Sequence, residues 1–149
     1  MTTIIVDRDR GIAVADSKFS EDGISFPTPK LFRIGTSVFG EAGETRGLGK
    51  FFAWINAGQP DDERPQFSGQ LDDFCAVELS AAGVFYWDRH LYPVPVVGRY
   101  YAIGTGGPLA MLCAKEFDYP VERAVRLACR YDPDSQLPIQ VMRLRRTKE

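Results

Sequence analysis

The stretch TTIIVDRDRGIAVADSK, residues 2–18, decides how the rest of the chain is read. Thr2-Thr3-Ile4-Ile5-Val6 is a β-branched run, stiff at χ1 and suited to a strand. Asp9-Arg10-Gly11 supplies turn chemistry before Ile12-Ala13-Val14-Ala15, so the stretch predicts an N-terminal hairpin ending at Asp16-Ser17-Lys18. Outward from it, Asp22 to Pro29 is rich in turn formers with two prolines and predicts a loop or irregular edge. Lys30-Leu31-Phe32-Arg33-Ile34 and Ser37-Val38-Phe39-Gly40 predict a second hairpin closed around Gly35.

Leu48, Phe51, Phe52 and Ile55 then recur at helical spacing, with Ala57-Gly58 as the stop. Gln59 to Gln70 lacks periodicity and predicts a long loop. Strands are expected at Phe74 to Leu79 and Val84 to Trp87, joined by Ser80-Ala81-Ala82-Gly83, and at Tyr100 to Ile103. Gly104-Thr105-Gly106-Gly107-Pro108 leads into a helix with Leu109, Leu112 and Cys113 on one face. A second helix is signalled by Asp118 as cap, Pro120, and the stripe Val121, Ala124, Val125, Ala128, with Glu122 and Arg126 as an i,i+4 pair. Asp132-Pro133 ends it, and Ile139 to Leu144 reads as a last strand. Helices bunched after runs of strands predict a layered α+β fold.

The 149 residues carry 18 Lys+Arg against 20 Asp+Glu, a net charge of −2, with 44% hydrophobic residues. That length predicts one domain spanning 1–149. The charge balance argues against a nucleic-acid partner held by phosphate neutralisation. No apolar run approaches the ~18–20 residues that cross a bilayer, and no basic-then-apolar leader is read, so a cytoplasmic protein with no membrane partner is expected. Cys75, Cys113 and Cys129 are widely spaced in apolar surroundings and read as small hydrophobes.

The familiar catalytic sets are missing. His90 is the sole histidine and no G-x-S-x-G accompanies it. The glycines at 104–107 lack the Gly-Lys-Ser/Thr of a phosphate loop, and Asp132-x-Asp134 lacks the further ligands of a calcium loop, so neither cofactor nor metal is expected. The start of the chain offers chemistry of another kind. Removal of Met1 would leave Thr2 with a hydroxyl and a free α-amine, a pair that forms a nucleophile without histidine. The amine's ordinary pKa of ~7.7–8.0 suits a general base near neutrality.

Thr2-Thr3-Ile4, Ala15-Asp16-Ser17-Lys18, Lys30-Leu31-Phe32-Arg33-Ile34, Gly40-Glu41-Ala42-Gly43, Ile103-Gly104-Thr105-Gly106-Gly107-Pro108 and Asp132-Pro133-Asp134-Ser135 resemble, in order, the motifs of proteasome β-type N-terminal-nucleophile peptidases. The likeness covers nearly the whole chain and looks closest to the bacterial members. It implies a four-layer αββα sandwich, truncated in one helical layer because Gly58 to Phe74 replaces a long helix. It implies a threonine peptidase acting through an acyl-enzyme, with Thr2 as nucleophile, Asp16 and Lys30 as its acid and lysine, and Gly43 as oxyanion donor. Thr105, Asp132 and Ser135 match the polar set around the nucleophile. Peptide or unfolded protein would be the substrate and a homo-oligomer, such as a ring, the assembly; whether an ATPase unfoldase feeds it is left open. Two alternatives stay beside this reading: a catalytically inactive structural or binding subunit, and a small-molecule amidase. Two departures stand out. Thr105 replaces the usual serine, and Gln136 follows Ser135 where glycine is common, which puts the backbone at Ser135 in question.

Overall fold

The computed structural model describes residues 2–43, 48–66 and 74–145. β1 (Ile4–Asp7) and β2 (Ile12–Ala15) form the N-terminal hairpin, and every residue in both is buried. They are the middle strands of a four-stranded antiparallel sheet with β10 (Tyr100–Ile103) outside β1 and β11 (Gln140–Arg143) outside β2. Side chains alternate across a strand, and here each face meets a different layer. Ile4, Val6, Ala13 and Ala15 face a second sheet; Ile5, Ile12 and Val14 face two helices.

The second sheet has five antiparallel strands in sequence order: β5 (Leu31–Ile34), β6 (Ser37–Ala42), β7 (Cys75–Ser80), β8 (Gly83–Trp87) and β9 (Pro93–Val96). Its inner face brings Leu31, Val38, Val77, Leu79 and Val84 against the first sheet. Its outer face carries Phe39, Ala76 and Trp87 against α1 (Leu48–Asn56), whose Phe51 and Trp54 are buried. Aromatic edges seal that contact: Phe51 lies 5.8 Å from Phe39, 5.3 Å from Phe74 and 5.6 Å from Trp87 between ring centres. On the far side, α2 (Gly107–Glu116) and α3 (Val121–Tyr131) cover the first sheet through Ala110, Cys113, Ala114, Val121, Ala124 and Val125. The order of layers is α2/α3, sheet, sheet, α1. This is the expected αββα sandwich, and among the described residues the thinner helical layer holds α1 and a short 3₁₀ turn at Asp61–Glu63. Part of the loop expected at Gln59 to Gln70 lies outside the described residues.

Several local expectations are corrected. The segment from Asp22 to Pro29, expected as a loop or irregular edge, contributes a regular strand, since β3 (Lys18–Glu21) and β4 (Ile24–Pro27) pair as an exposed hairpin. Phe19 and Phe26 face each other across it, ring centres 5.1 Å apart, a cross-strand pair that outweighs the turn-rich composition. β9 is not among the expected strands, and it carries Pro93 and Pro95. Two residues apart, their missing N–H groups fall on one side of an edge strand, the side turned away from β8. The cap of α3 is Pro120, with no side-chain cap; Asp118 sits instead in the preceding turn at φ 55. Glu122 pairs with Arg10 rather than Arg126, at 2.7 Å. Leu112 is 47% exposed, and the buried face of α2 is made by smaller residues.

Candidate active site

Thr2 and Thr3 lead into β1, Asp16 directly follows β2, and Lys30 directly precedes β5, so the two sheets bring these residues together at the same end. All four are buried. The Lys30 ammonium donates to Thr2 Oγ1 at 2.9 Å and to Asp16 Oδ1 at 2.9 Å. Asp16 is wholly buried and fully employed. Its Oδ1 also accepts the Thr3 N–H at 2.9 Å, and its Oδ2 accepts the N–H groups of Lys18 at 2.9 Å and Gln136 at 3.1 Å. A buried carboxylate persists when opposite charge and several donors replace its water, and Asp16 has both.

A second polar group lies beside the first. Ser135 Oγ donates to Asp132 Oδ2 at 2.6 Å and Thr105 Oγ1 donates to the same oxygen at 2.9 Å. With its proton committed to Asp132, Ser135 Oγ accepts from Thr3 Oγ1 at 2.6 Å. Burial pushes the Asp132 carboxyl up, but the donors Ser135, Thr105 and the Asp134 N–H prevail and hold it below its ordinary value. Thr105, Asp132 and Ser135 are thus brought together, and the Thr105 hydroxyl bonds Asp132. Among the described residues their link is to Thr3 and not to the Thr2 hydroxyl. The question raised by Gln136 is answered by use: its N–H serves Asp16, and its carbonyl accepts the Ser17 N–H at 2.9 Å.

The Gly-Thr-Gly turn between β10 and α2 touches the chain start directly. Gly106 N–H donates to the Thr2 carbonyl at 3.3 Å. A Cβ at Gly104 would overlap that same carbonyl, and Gly104 has φ +91; a Cβ at Gly106 would overlap Thr3 Oγ1. Both glycines are demanded by the close approach of backbone to Thr2 and Thr3, which accounts for a cluster with no phosphate-loop signature.

Thr2 and Lys30 line a cavity of about 490 Å³ whose walls include Phe19, Phe32, Glu41, Gly43 and Leu48. Gly43 has φ 90 and shares this cavity with Thr2. The residues between Gly43 and α1 lie outside the described set, as does Met1. His90 is exposed in a turn. Cys129 is half-buried, and burial pushes its thiol up to about 11, so it is no rival nucleophile. Sequence reasoning missed Thr3, the cavity walls and Gln140, whose partners are more than a hundred residues away in the chain. The alternation in β11 pointed to a strand, but nothing local marked this glutamine.

With this geometry in view, solved structures provide the comparison. BPH from Thiobacillus denitrificans in complex with epoxomicin matches with a TM-score of 0.68 at 21% identity, over 97% of this chain and 100% of that one. The fold is that of the proteasome-like N-terminal-nucleophile hydrolases. A second structure of Thiobacillus denitrificans BPH shares the proteasome-like fold at 22% identity and a TM-score of 0.66, over 97% and 99% of the two chains. Eukaryotic HslV from Trypanosoma brucei does so at 21% identity and a TM-score of 0.67, over 95% and 99%. No family model and no curated protein matches the sequence. The neighbours are HslV-type, proteasome-like peptidases, so the architecture expected from the order of motifs is borne out. Within the proteasome-like fold of this chain, no helix of the described residues is long and apolar enough to cross a membrane.

Proposed function

We propose that this chain is a threonine-type peptidase whose nucleophile is Thr2, exposed as the N-terminal residue by removal of Met1. The observation that carries the reading is the buried Lys30–Asp16 pair, its ammonium 2.9 Å from Thr2 Oγ1 at the wall of a cavity large enough for a side chain of a peptide. A freed α-amine would act as base. Lys30, as a nearby positive charge, favours the neutral, proton-accepting form of the amine, and Asp16 keeps the ammonium aimed.

In this mechanism the Thr2 hydroxyl proton passes to the amine as Oγ attacks the peptide carbonyl. Gly43 N–H stabilises the oxyanion, a donor worth roughly 10²–10³ in rate in characterised enzymes. Collapse breaks the C–N bond, the departing amine takes the proton, and an ester joins Thr2 to the acyl part of the substrate. Water then attacks the ester, giving its proton to the Thr2 α-amine, which passes it to Oγ as the acyl C–O bond breaks, releasing the acid and restoring free Thr2. No metal or cofactor enters these steps. The substrate class is peptide or unfolded protein, the assembly a homo-oligomer such as a ring, and the compartment the cytoplasm. The substrate and assembly rest on the resemblance and the compartment on the sequence features above, and particle mass in solution tests the assembly.

The decisive experiment is intact mass spectrometry before and after exposure to an epoxyketone, with peptide mapping of the adduct. The expected result is loss of Met1, a single adduct at Thr2, cleavage of fluorogenic peptides, and loss of both adduct and cleavage in Thr2→Ala. Protein that lacks Met1 yet gives neither adduct nor cleavage refutes the peptidase reading. Retained Met1 with no adduct favours an inactive subunit, and cleavage of simple amides alone favours an amidase.

A further inference from the structure

Lys30 can serve Thr2 only if its backbone is held where the two sheets converge. The segment Thr28-Pro29-Lys30, which joins the exposed β3/β4 hairpin to β5, lies outside any strand and has no ladder of its own. Main-chain bonds hold part of it, Thr28 N–H to the Ser17 carbonyl at 2.9 Å and Glu41 N–H to the Lys30 carbonyl at 3.3 Å, and one side chain adds bonds to the Lys30 N–H and the Thr28 carbonyl. Gln140, the first residue of β11, accepts the Lys30 N–H through Oε1 at 2.8 Å. Its Nε2 donates to the Thr28 carbonyl at 2.6 Å and to Ser17 Oγ at 2.9 Å, with the Asp16 carbonyl at 3.3 Å as a weaker third partner. An amide nitrogen carries two hydrogens, so the two shorter contacts use both. Ser17 Oγ is able to accept because its own proton goes to the Pro138 carbonyl.

We propose that Gln140 is the positioning residue of this site: its carboxamide ties the backbone of Lys30 to that of Asp16–Ser17 and thereby holds the Lys30 ammonium on Thr2. The inference rests on the peptidase reading above. β11 is itself anchored, with Gln140 opposite Ala15 in the register with β2, so the clamp starts from a rigid strand next to Asp16. Thr28 and Pro29 also line the cavity that contains Thr2, so the same amide sets one cavity wall. The chemistry of the clamp demands glutamine. Asparagine is one methylene too short to reach Lys30 and Thr28 together. Glutamate keeps the acceptor for Lys30 N–H but turns an oxygen toward the Thr28 carbonyl.

Gln140 is half-buried beside a cavity of about 250 Å³ formed with Ser17, Pro27, Thr28 and Pro29. Truncation therefore widens an existing space open to solvent and leaves the apolar core intact, so Gln140→Ala is expected to fold. The test compares wild type, Gln140→Ala and Gln140→Glu as full chains on a fluorogenic peptide, with rates normalised to the fraction of molecules an epoxyketone labels at Thr2. Small displacements of catalytic groups cost up to about a hundredfold, so kcat of Gln140→Ala should fall roughly ten- to a hundredfold while KM stays within about threefold. Gln140→Glu, which keeps the Lys30 contact, should fall less. A normalised kcat within about twofold of wild type overturns the proposal, as does a fall accounted for entirely by unlabelled protein. A crystal structure of Gln140→Ala gives a readout independent of turnover. Lys30 Nζ still within hydrogen-bonding distance of both Thr2 Oγ1 and Asp16 refutes the clamp. Wild type that neither turns over nor labels refutes the peptidase reading instead, and the Gln140→Ala structure then still decides the clamp.

Discussion

Replacing Asp16 by asparagine changes almost no volume and tests the centre of the site. Asp16 accepts from Lys30 and Thr3 on one oxygen and from Lys18 and Gln136 on the other, and it is wholly buried. Asparagine has one acceptor oxygen and an NH₂ group, so whichever way it turns, a pair of donors faces another donor. Each buried donor left without an acceptor costs about 1–3 kcal/mol. Lys30 also loses its counter-charge, and breaking a buried pair from one side costs about 3–5 kcal/mol. These contributions overlap because Lys30 is itself one of the donors, so about 3–5 kcal/mol is the expected loss for Asp16→Asn. At roughly 2–4 °C per kcal/mol for a chain of this size, Tm should fall by roughly 6–20 °C. Lys30→Met should cost less, because Asp16 keeps its three backbone donors. In the double variant neither stranded charge remains, so its loss should be smaller than the sum by about 1–3 kcal/mol. Urea unfolding at pH 7, followed by fluorescence of Trp54 and Trp87 in the α1 layer, measures all three variants. Additivity within about 0.5 kcal/mol, or a cost for Asp16→Asn under about 1 kcal/mol, refutes the account of a coupled buried pair.

Gly104→Ala should lower both stability and Thr2 labelling, because the new methyl overlaps the Thr2 carbonyl and φ +91 disfavours any side chain; wild-type labelling and Tm would refute this. Asp132 is held below its ordinary carboxyl range in the folded protein, so its contribution is present above the unfolded pKa and is lost as pH falls through the folded one. Wild type should therefore lose more stability than Asp132→Asn on acidification from about pH 4 downward, which urea titrations at stepped pH will read. Cys129, with its thiol pushed up to about 11, should resist iodoacetamide at pH 7.5 until the protein unfolds, as mass spectrometry of timed samples will show.

The parts of the fold legible from sequence are those in which local pattern and tertiary environment agree. Of the β-branched run at Thr2 to Val6, Ile4 to Val6 lie in β1 and the two threonines lead into it, and the stripe Val121, Ala124, Val125, Ala128 is buried throughout. β9 was hidden because its prolines are permitted only by an edge position that the neighbouring strand creates. The β3/β4 hairpin was hidden because a cross-strand aromatic pair outweighs turn-forming composition. In the candidate site, the resemblance in motif order names Thr2, Asp16 and Lys30, and Thr105, Asp132 and Ser135 as a set. That the set reaches Thr3, and that Gln140 spans Lys30 and Thr28, depends on contacts between segments over a hundred residues apart, which no local pattern encodes.

The hairpin register carries a consequence for how this chain tolerates change. Ile4 lies opposite Ala15 on one side and Ile103 on the other, so the sheet itself serves as the ruler that places Thr2 beside Asp16 and the Gly-Thr-Gly turn. One inserted residue within β1 would advance the chain start by about 3.3 Å and exchange every inward and outward side chain upstream of it. The turn at Asp22-Gly23 and the segment around Asp61–Glu63 touch none of these pairings. Length variation, affinity tags or designed contact surfaces therefore belong at those two places, where the spacing of the reactive groups does not register the change.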